Sequence, residues 1–224
     1  SYQVNDSQRK IANRVFSRSE LGLPEAGFVF CSFNNNYKIT PQVFGCWMEI
    51  LKAVPGSVLW LLQGSEQTQN NLRREAQARG VDPVRLVFAK NMPLADHLAR
   101  QRAADLFLDT LPYNAHTTAS DALWAGLPVL TCAGETFASR VAASLLHAIA
   151  LPELVTTTQA AFEALAIELA HQPERLLAVR QKLEQNKLST PLFDTALFTQ
   201  HLEQAFEATH ARRLAGQPVA DLLV

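Results

Sequence analysis

Cysteine is scarce in this chain, with three in 224 residues. Cys31, Cys46 and Cys132 are odd in number, sit in apolar surroundings and show no C-x-x-C spacing, which excludes a disulfide framework and gives no sign of a zinc site. Buried reduced thiols of an intracellular protein are the expectation. Charge of one sign is also missing: 20 Lys and Arg against 21 Asp and Glu leave a net charge of -1. There is no global field to recruit nucleic acid or an anionic membrane surface, so any bound anion must be met by local groups. Long apolar runs are absent too. Stretches such as Val58 to Leu62 fall far short of the roughly 20 residues of a membrane helix, and no charged-then-apolar leader opens the chain, so the expectation is a soluble, cytoplasmic protein. Nine glycines form neither G-x-G-x-x-G nor G-x-x-x-x-G-K-[ST], which counts against a dinucleotide oxidoreductase or a phosphate-loop hydrolase. What is present is a composition of 48% hydrophobic and 18% charged residues without repeat or low-complexity tract, that of an ordinary globular protein.

Residues 1–27 are polar with scattered apolar positions and close on Gly22, Pro24 and Gly27, the pattern of a linking segment outside the core. From Phe28 onward short apolar runs alternate with amphipathic ones. Strands are expected at Phe28 to Phe33, Ser57 to Gln63, Val84 to Ala89, Asp105 to Asp109 and Pro128 to Cys132. Helices are expected from Pro41 to Val54, Glu66 to Gly80, Leu94 to Arg102, Thr117 to Ala125 and Phe137 to Ala150. Five doubly buried strands separated by helices imply an α/β fold: a Rossmann-like, doubly wound parallel sheet. The remainder reads as helix at Gln159 to His171, Pro173 to Asn186 and Asp194 to about Ala215. The last carries a stripe of Leu197, Phe198, Leu202, Ala205 and Phe206, to lie on this domain or on a neighbouring one.

In such a sheet the ligand crevice lies beyond the carboxyl ends of the strands. There the fourth strand is followed by TLPYNAHTTASDALWAG. Thr117 and Thr118 stand where a helix begins, with unpaired backbone amides, two hydroxyls and the positive end of the dipole available to a phosphate. Asp121, one turn on, suits a sugar diol. A capping threonine and an aspartate that complements the dipole would leave the same pattern. Lys38 follows the first strand, where an ammonium reaches a crevice anion or simply stays in solvent. His97 and Arg100 share a helical face and offer a ring with a cation. Gly134 and Glu135 fall in the loop after the fifth strand with Arg140 on the first turns of the next helix, a pattern that capping and an ion pair also explain.

The stretches FVFCSFNNNYKITP, VPGSVLWLL, ADLFLDTLPYNAHTTASDALWAG, AGETFASRVAASLL and TPLFDTALF together resemble the O-linked N-acetylglucosamine transferases, from Phe28 to Phe206. The resemblance implies one lobe of a GT-B type glycosyltransferase, the carboxyl-terminal lobe that binds the nucleotide sugar. Residues 1–27 would then link it to a missing N-terminal lobe, 28–215 form the lobe with its C-terminal helices, and 216–224 a tail. Tetratricopeptide repeats are missing as well. It further implies that Lys38 contacts the donor's diphosphate and is the catalytic candidate. By the same likeness His116, Thr117 and Thr118 form the phosphate-binding helix start, Asp121 takes the ribose hydroxyls, and His97 and Arg100 flank the uridine. Asn35 falls where some members have glutamine, and Met92 lies in the base pocket. Leu94 departs from a lysine that other members carry near the phosphates. The implied chemistry is inverting transfer of N-acetylglucosamine from UDP-GlcNAc to serine or threonine of a protein acceptor, with no metal or other cofactor. Residues of the absent lobe contribute to the acceptor side, and the group that takes the acceptor's proton is not assigned by the sequence. Neither nucleic acid nor membrane is an implied partner. Two further readings share these residues: a relative using another donor such as GDP-fucose, decided around Met92 and His97, and a non-catalytic nucleotide-binding domain. A simple NAD-binding domain ranks behind both for want of the glycine fingerprint.

Overall fold

The computed structural model describes residues 4–222. Six parallel strands form one sheet in the order β3-β2-β1-β4-β5-β6. They are β1 (Val29–Ser32), β2 (Val58–Leu62), β3 (Leu86–Ala89), β4 (Leu106–Leu108), β5 (Val129–Cys132) and β6 (Val155–Thr156). Each of the first five lies within an expected run, trimmed at the ends. The sixth, two residues long, was not expected. Its Val155 and Thr156 register with Thr131 and Cys132.

The chain steps outward in one direction from β1 to β2 to β3, then returns to lay β4 on the other side of β1 and steps outward the opposite way. With right-handed crossovers, this places α1 (Pro41–Ala53) and α2 (Glu66–Ala78) on one face and α3 (Leu94–Arg100), α4 (Thr117–Trp124) and α5 (Val141–Ala148) on the other. The helix α6 (Gln159–His171) returns to the first face, where it packs on α1, and α7 (Pro173–Asn186) crosses the edge where the strands begin, with Arg180 on the Ala104 carbonyl and Asn186 on the Ile149 carbonyl. Both sheet faces are thus covered, which is why Phe30, Leu59, Trp60, Leu106 and Phe107 are wholly buried. The loops after β1 and β4 diverge to opposite faces and leave a crevice between them. The run expected as one helix from Phe137 to Ala150 is a 3-10 turn at Phe137–Ser139 followed by α5.

Residues 4–27 were expected to lie outside the core, and they lie along the body instead. Leu23 is 4% exposed within the main cluster, Asn5 is buried, and the Ala12 amide donates to the Ala95 carbonyl at 3.0 Å. Arg18 reaches Asp105 and the Gly27 carbonyl, both at 2.8 Å. The terminal helix α8 (Thr195–Leu214) contrasts with this: none of its residues is buried, and Leu202 and Phe206 of its apolar stripe are exposed. No helix among the described residues is long and apolar enough to cross a membrane.

Candidate functional site

The crevice begins with how α4 starts. Thr40, Ser65, Thr158 and Asp194 close α1, α2, α6 and α8 by accepting from backbone amides, whereas His116, at the N-cap of α4, makes no capping bond. The amides of Ala119 and Ser120 both turn back to the His116 carbonyl at 3.1 Å. Those of Thr117 and Thr118 have no acceptor among the described residues. Two open amides at the positive end of a helix make an anion seat.

Across the crevice Lys38 is half-buried, its Nζ donating to the Asn114 carbonyl at 2.8 Å and lying 3.8 Å from the Tyr113 ring centre. Burial lowers its pKa, and the nearby Asp109 pulls the other way. Asn34 ties the two loops together: its Oδ1 accepts from the Thr118 hydroxyl at 2.7 Å and its Nδ2 donates to Thr110 Oγ1 at 3.2 Å. Asn35 beside it is exposed. Beneath them Asp109 fixes the loop after β4. One oxygen accepts from the amides of Thr110 and Ala115, the other from the Thr131 hydroxyl at 2.6 Å. Burial pushes the Asp109 carboxyl up to about 7, against those three donors and Lys38.

The loop after β5 supports the same corner. Thr136 and Ser139 form a capping box, and the Ala138 carbonyl accepts from the Asn114 amide at 2.9 Å and faces His116 Nε2 at 3.4 Å. Gly134 is required there because a Cβ would collide with the Ser139 side chain. Glu135 and Arg140 are exposed.

On the other side, His97 and Arg100 are brought together, with Arg100 buried rather than open to the crevice. Arg100 is 1% exposed, lies against the touching rings of Phe33 and Trp60, and donates to the Lys90 carbonyl. Its Nε and Nη2 lie 3.0 and 2.7 Å from His97 Nδ1. A guanidinium only donates, so Nδ1 accepts and the imidazole proton resides on Nε2. Burial and the Arg100 charge lower the His97 pKa to about 4, leaving a neutral ring. Met92 joins Trp60 and Arg100 along a cleft whose other wall includes Glu20, Leu21 and Gly22. Leu94 is 51% exposed and adds no charge.

Asp121 is 7% exposed and paired with Arg9. Sequence reasoning named the carboxylate and missed the guanidinium. It also missed Asn34, Asp109 and Tyr113 as parts of the site. An aspartate ending the apolar run DLFLD at the carboxyl end of a strand was the available signal for Asp109; Arg9 offered none.

The family model described as glycosyl transferase family 41 matches residues 4–202. A UDP-N-acetylglucosamine--peptide N-acetylglucosaminyltransferase of Caenorhabditis elegans is 37% identical over 212 residues, which are 94% of this chain and 18% of that protein. A probable enzyme of the same description, SEC, from Arabidopsis thaliana is 37% identical over 92% of this chain and 22% of its own length. The solved structure of a Thermobaculum terrenum O-GlcNAc transferase mutant, K341M, superimposes with a TM-score of 0.77 at 37% identity, covering 80% of this chain and 35% of that one. The chain therefore spans about a fifth of the curated relatives and about a third of the structural one. With a matching model over nearly its whole length and a six-stranded parallel sheet of the same fold, this chain belongs to glycosyl transferase family 41.

Proposed function

We propose that this chain is the donor-binding lobe of an inverting glycosyltransferase that moves N-acetylglucosamine from UDP-GlcNAc to serine or threonine hydroxyls of proteins. The observation that carries the reading is the pairing of two open amides, Thr117 and Thr118, with the Lys38 ammonium across one crevice. Its relatives' names as UDP-N-acetylglucosamine--peptide N-acetylglucosaminyltransferases support the choice of donor and acceptor.

In the proposed reaction an acceptor hydroxyl attacks the anomeric carbon and UDP leaves. Negative charge grows on the departing diphosphate, and donors already aimed at it lower the barrier without reorganising. Lys38 supplies the mobile charge and the α4 amides the fixed dipoles, with no metal or other cofactor assigned. His116 shapes the turn into α4, and Asp121 accepts from the ribose diol. His97 presents a neutral ring face and its Nε2 proton to the base, held by Arg100, with Met92 as a wall. Asn35 borders the crevice from the loop after β1. A second lobe, tetratricopeptide repeats and the protein acceptor complete the assembly in this reading. The exposed Leu202 and Phe206 of α8 are the surface offered to that lobe.

The test is a calorimetric titration with UDP and a transfer assay, each with wild type and Lys38→Ala. The reading expects weak UDP binding and no transfer by these 224 residues alone. In the complete enzyme, Lys38→Ala should remove most turnover. Near-normal turnover by that variant would take Lys38 out of the mechanism.

A further inference from the structure

Asp121 is not alone on α4. Arg9 spreads its guanidinium over the helix, with Nη1 on Asp121 Oδ1 and Nη2 3.2 Å from the Ser120 hydroxyl. Both members of the pair are largely buried, with side chains 16% and 10% exposed. The backbone around Arg9 is pinned independently. Its carbonyl accepts from the Trp124 indole at 3.0 Å, and the Ser120 hydroxyl donates to Asn5 Oδ1 at 2.6 Å. Asn5 in turn donates to the Leu192 carbonyl at 3.1 Å and accepts at its own carbonyl from Thr195 at 2.9 Å. The N-terminal segment is therefore strapped across α4 at fixed height, with Arg9 at the carboxylate.

We propose that Arg9 is a positioning residue of the donor site, which orients the Asp121 carboxylate so that its second oxygen receives the ribose diol of the nucleotide. The inference rests on the donor-site reading above. Three observations support it. Asp121 Oδ2 accepts no bond among the described residues, while Oδ1 is taken by Arg9. A carboxylate has lone pairs for several donors, so a guanidinium on one side leaves room for hydroxyls on the other. Burial by itself drives Asp121 toward its neutral form and Arg9 drives it back, so without the arginine the group becomes a weaker acceptor. A lysine would not serve equally, because the planar fork holds Asp121 and Ser120 at once.

The test compares the affinities of UDP and 2′,3′-dideoxy-UDP for wild type, Arg9→Met and Arg9→Gln by calorimetry. Wild type should prefer UDP by about tenfold or more, the effect expected for hydrogen bonds to a charged group. In Arg9→Met UDP should weaken by about tenfold while dideoxy-UDP stays within about twofold. Arg9→Gln, which keeps a polar contact and loses the charge, should show the same selective loss and decides the matter if the methionine variant does not fold. Unchanged preference in the variants would overturn the proposal. So would a parallel loss of both ligands, which marks Arg9 as structural only, or tighter UDP binding, which marks it as a plug. Equal binding of the two ligands by wild type would overturn it while leaving the donor-site reading intact. No UDP binding by wild type would remove that reading and this inference with it.

Discussion

The two sides of the crevice are built on opposite plans. On the side proposed for the base, Arg100 has every nitrogen engaged, lies almost wholly buried, and fixes the tautomer of His97. On the side proposed for the phosphates two helix amides are left open, and Lys38 is held by a single carbonyl and a ring face. A rigid, satisfied pocket selects by shape, whereas open donors supply the attraction for charge. Differences in donor affinity should therefore trace to Lys38 and α4, and differences in base choice to His97, Arg100 and Met92.

The largest expected effect breaks the phosphate side. In the complete enzyme Lys38→Ala should lower turnover by about 100- to 1,000-fold, the cost of losing one preorganised donor, with little change in melting temperature. A change confined to KM would instead assign Lys38 to ground-state binding. Breaking the base side should cost stability. Arg100→Met removes one member of a buried polar set and leaves the Lys90 carbonyl and His97 Nδ1 unmet, so urea unfolding should show a loss of about 3 kcal/mol or more.

The two sides also titrate in opposite directions, which sharpens the contrast. Asp109 has a folded pKa of about 7 against an ordinary 3.8, so the folded protein keeps a proton that the unfolded chain has released. Stability through this group falls as pH rises from about 4 to 7. His97 has a folded pKa of about 4 against 6.5, so below 6.5 the unfolded chain takes up a proton that the fold refuses. Stability through this group falls as pH drops from 6.5 to 4. The slopes oppose each other in the wild type. Asp109→Asn should leave stability rising with pH over that range, and His97→Gln should leave it falling. Urea midpoints at pH 4.5 and 6.5 would decide, and identical pH dependence in the two variants would contradict the assignment. The smallest effect is at Leu94, where an exposed lysine near the phosphates should tighten UDP by only about two- to fivefold, a gain that salt removes.

Much of this architecture was legible in the sequence. The ends of α6 and α7 fall where the 3.6-residue pattern and Pro173 put them, and the strands were visible because both their faces are covered. The two-residue β6 carries too little pattern to be seen, and the break at Arg140 is hidden because a 3-10 turn and a helix share hydrophobic spacing. Lys38, His116, Thr117 and Thr118 could be placed at the crevice from sequence because strand ends point to it. The depth of Arg100 could not be, since a cation three residues after a histidine reads the same above or below a ring. The pairing of Arg9 with Asp121 joins positions 112 apart, which no local pattern reports.

The central claim is that the crevice between β1 and β4 holds the diphosphate of UDP. A crystal structure with UDP tests it most directly. The account predicts diphosphate oxygens within hydrogen-bond distance of the Thr117 and Thr118 amides and the Lys38 ammonium; a nucleotide bound elsewhere, with those three donors untouched, would contradict it.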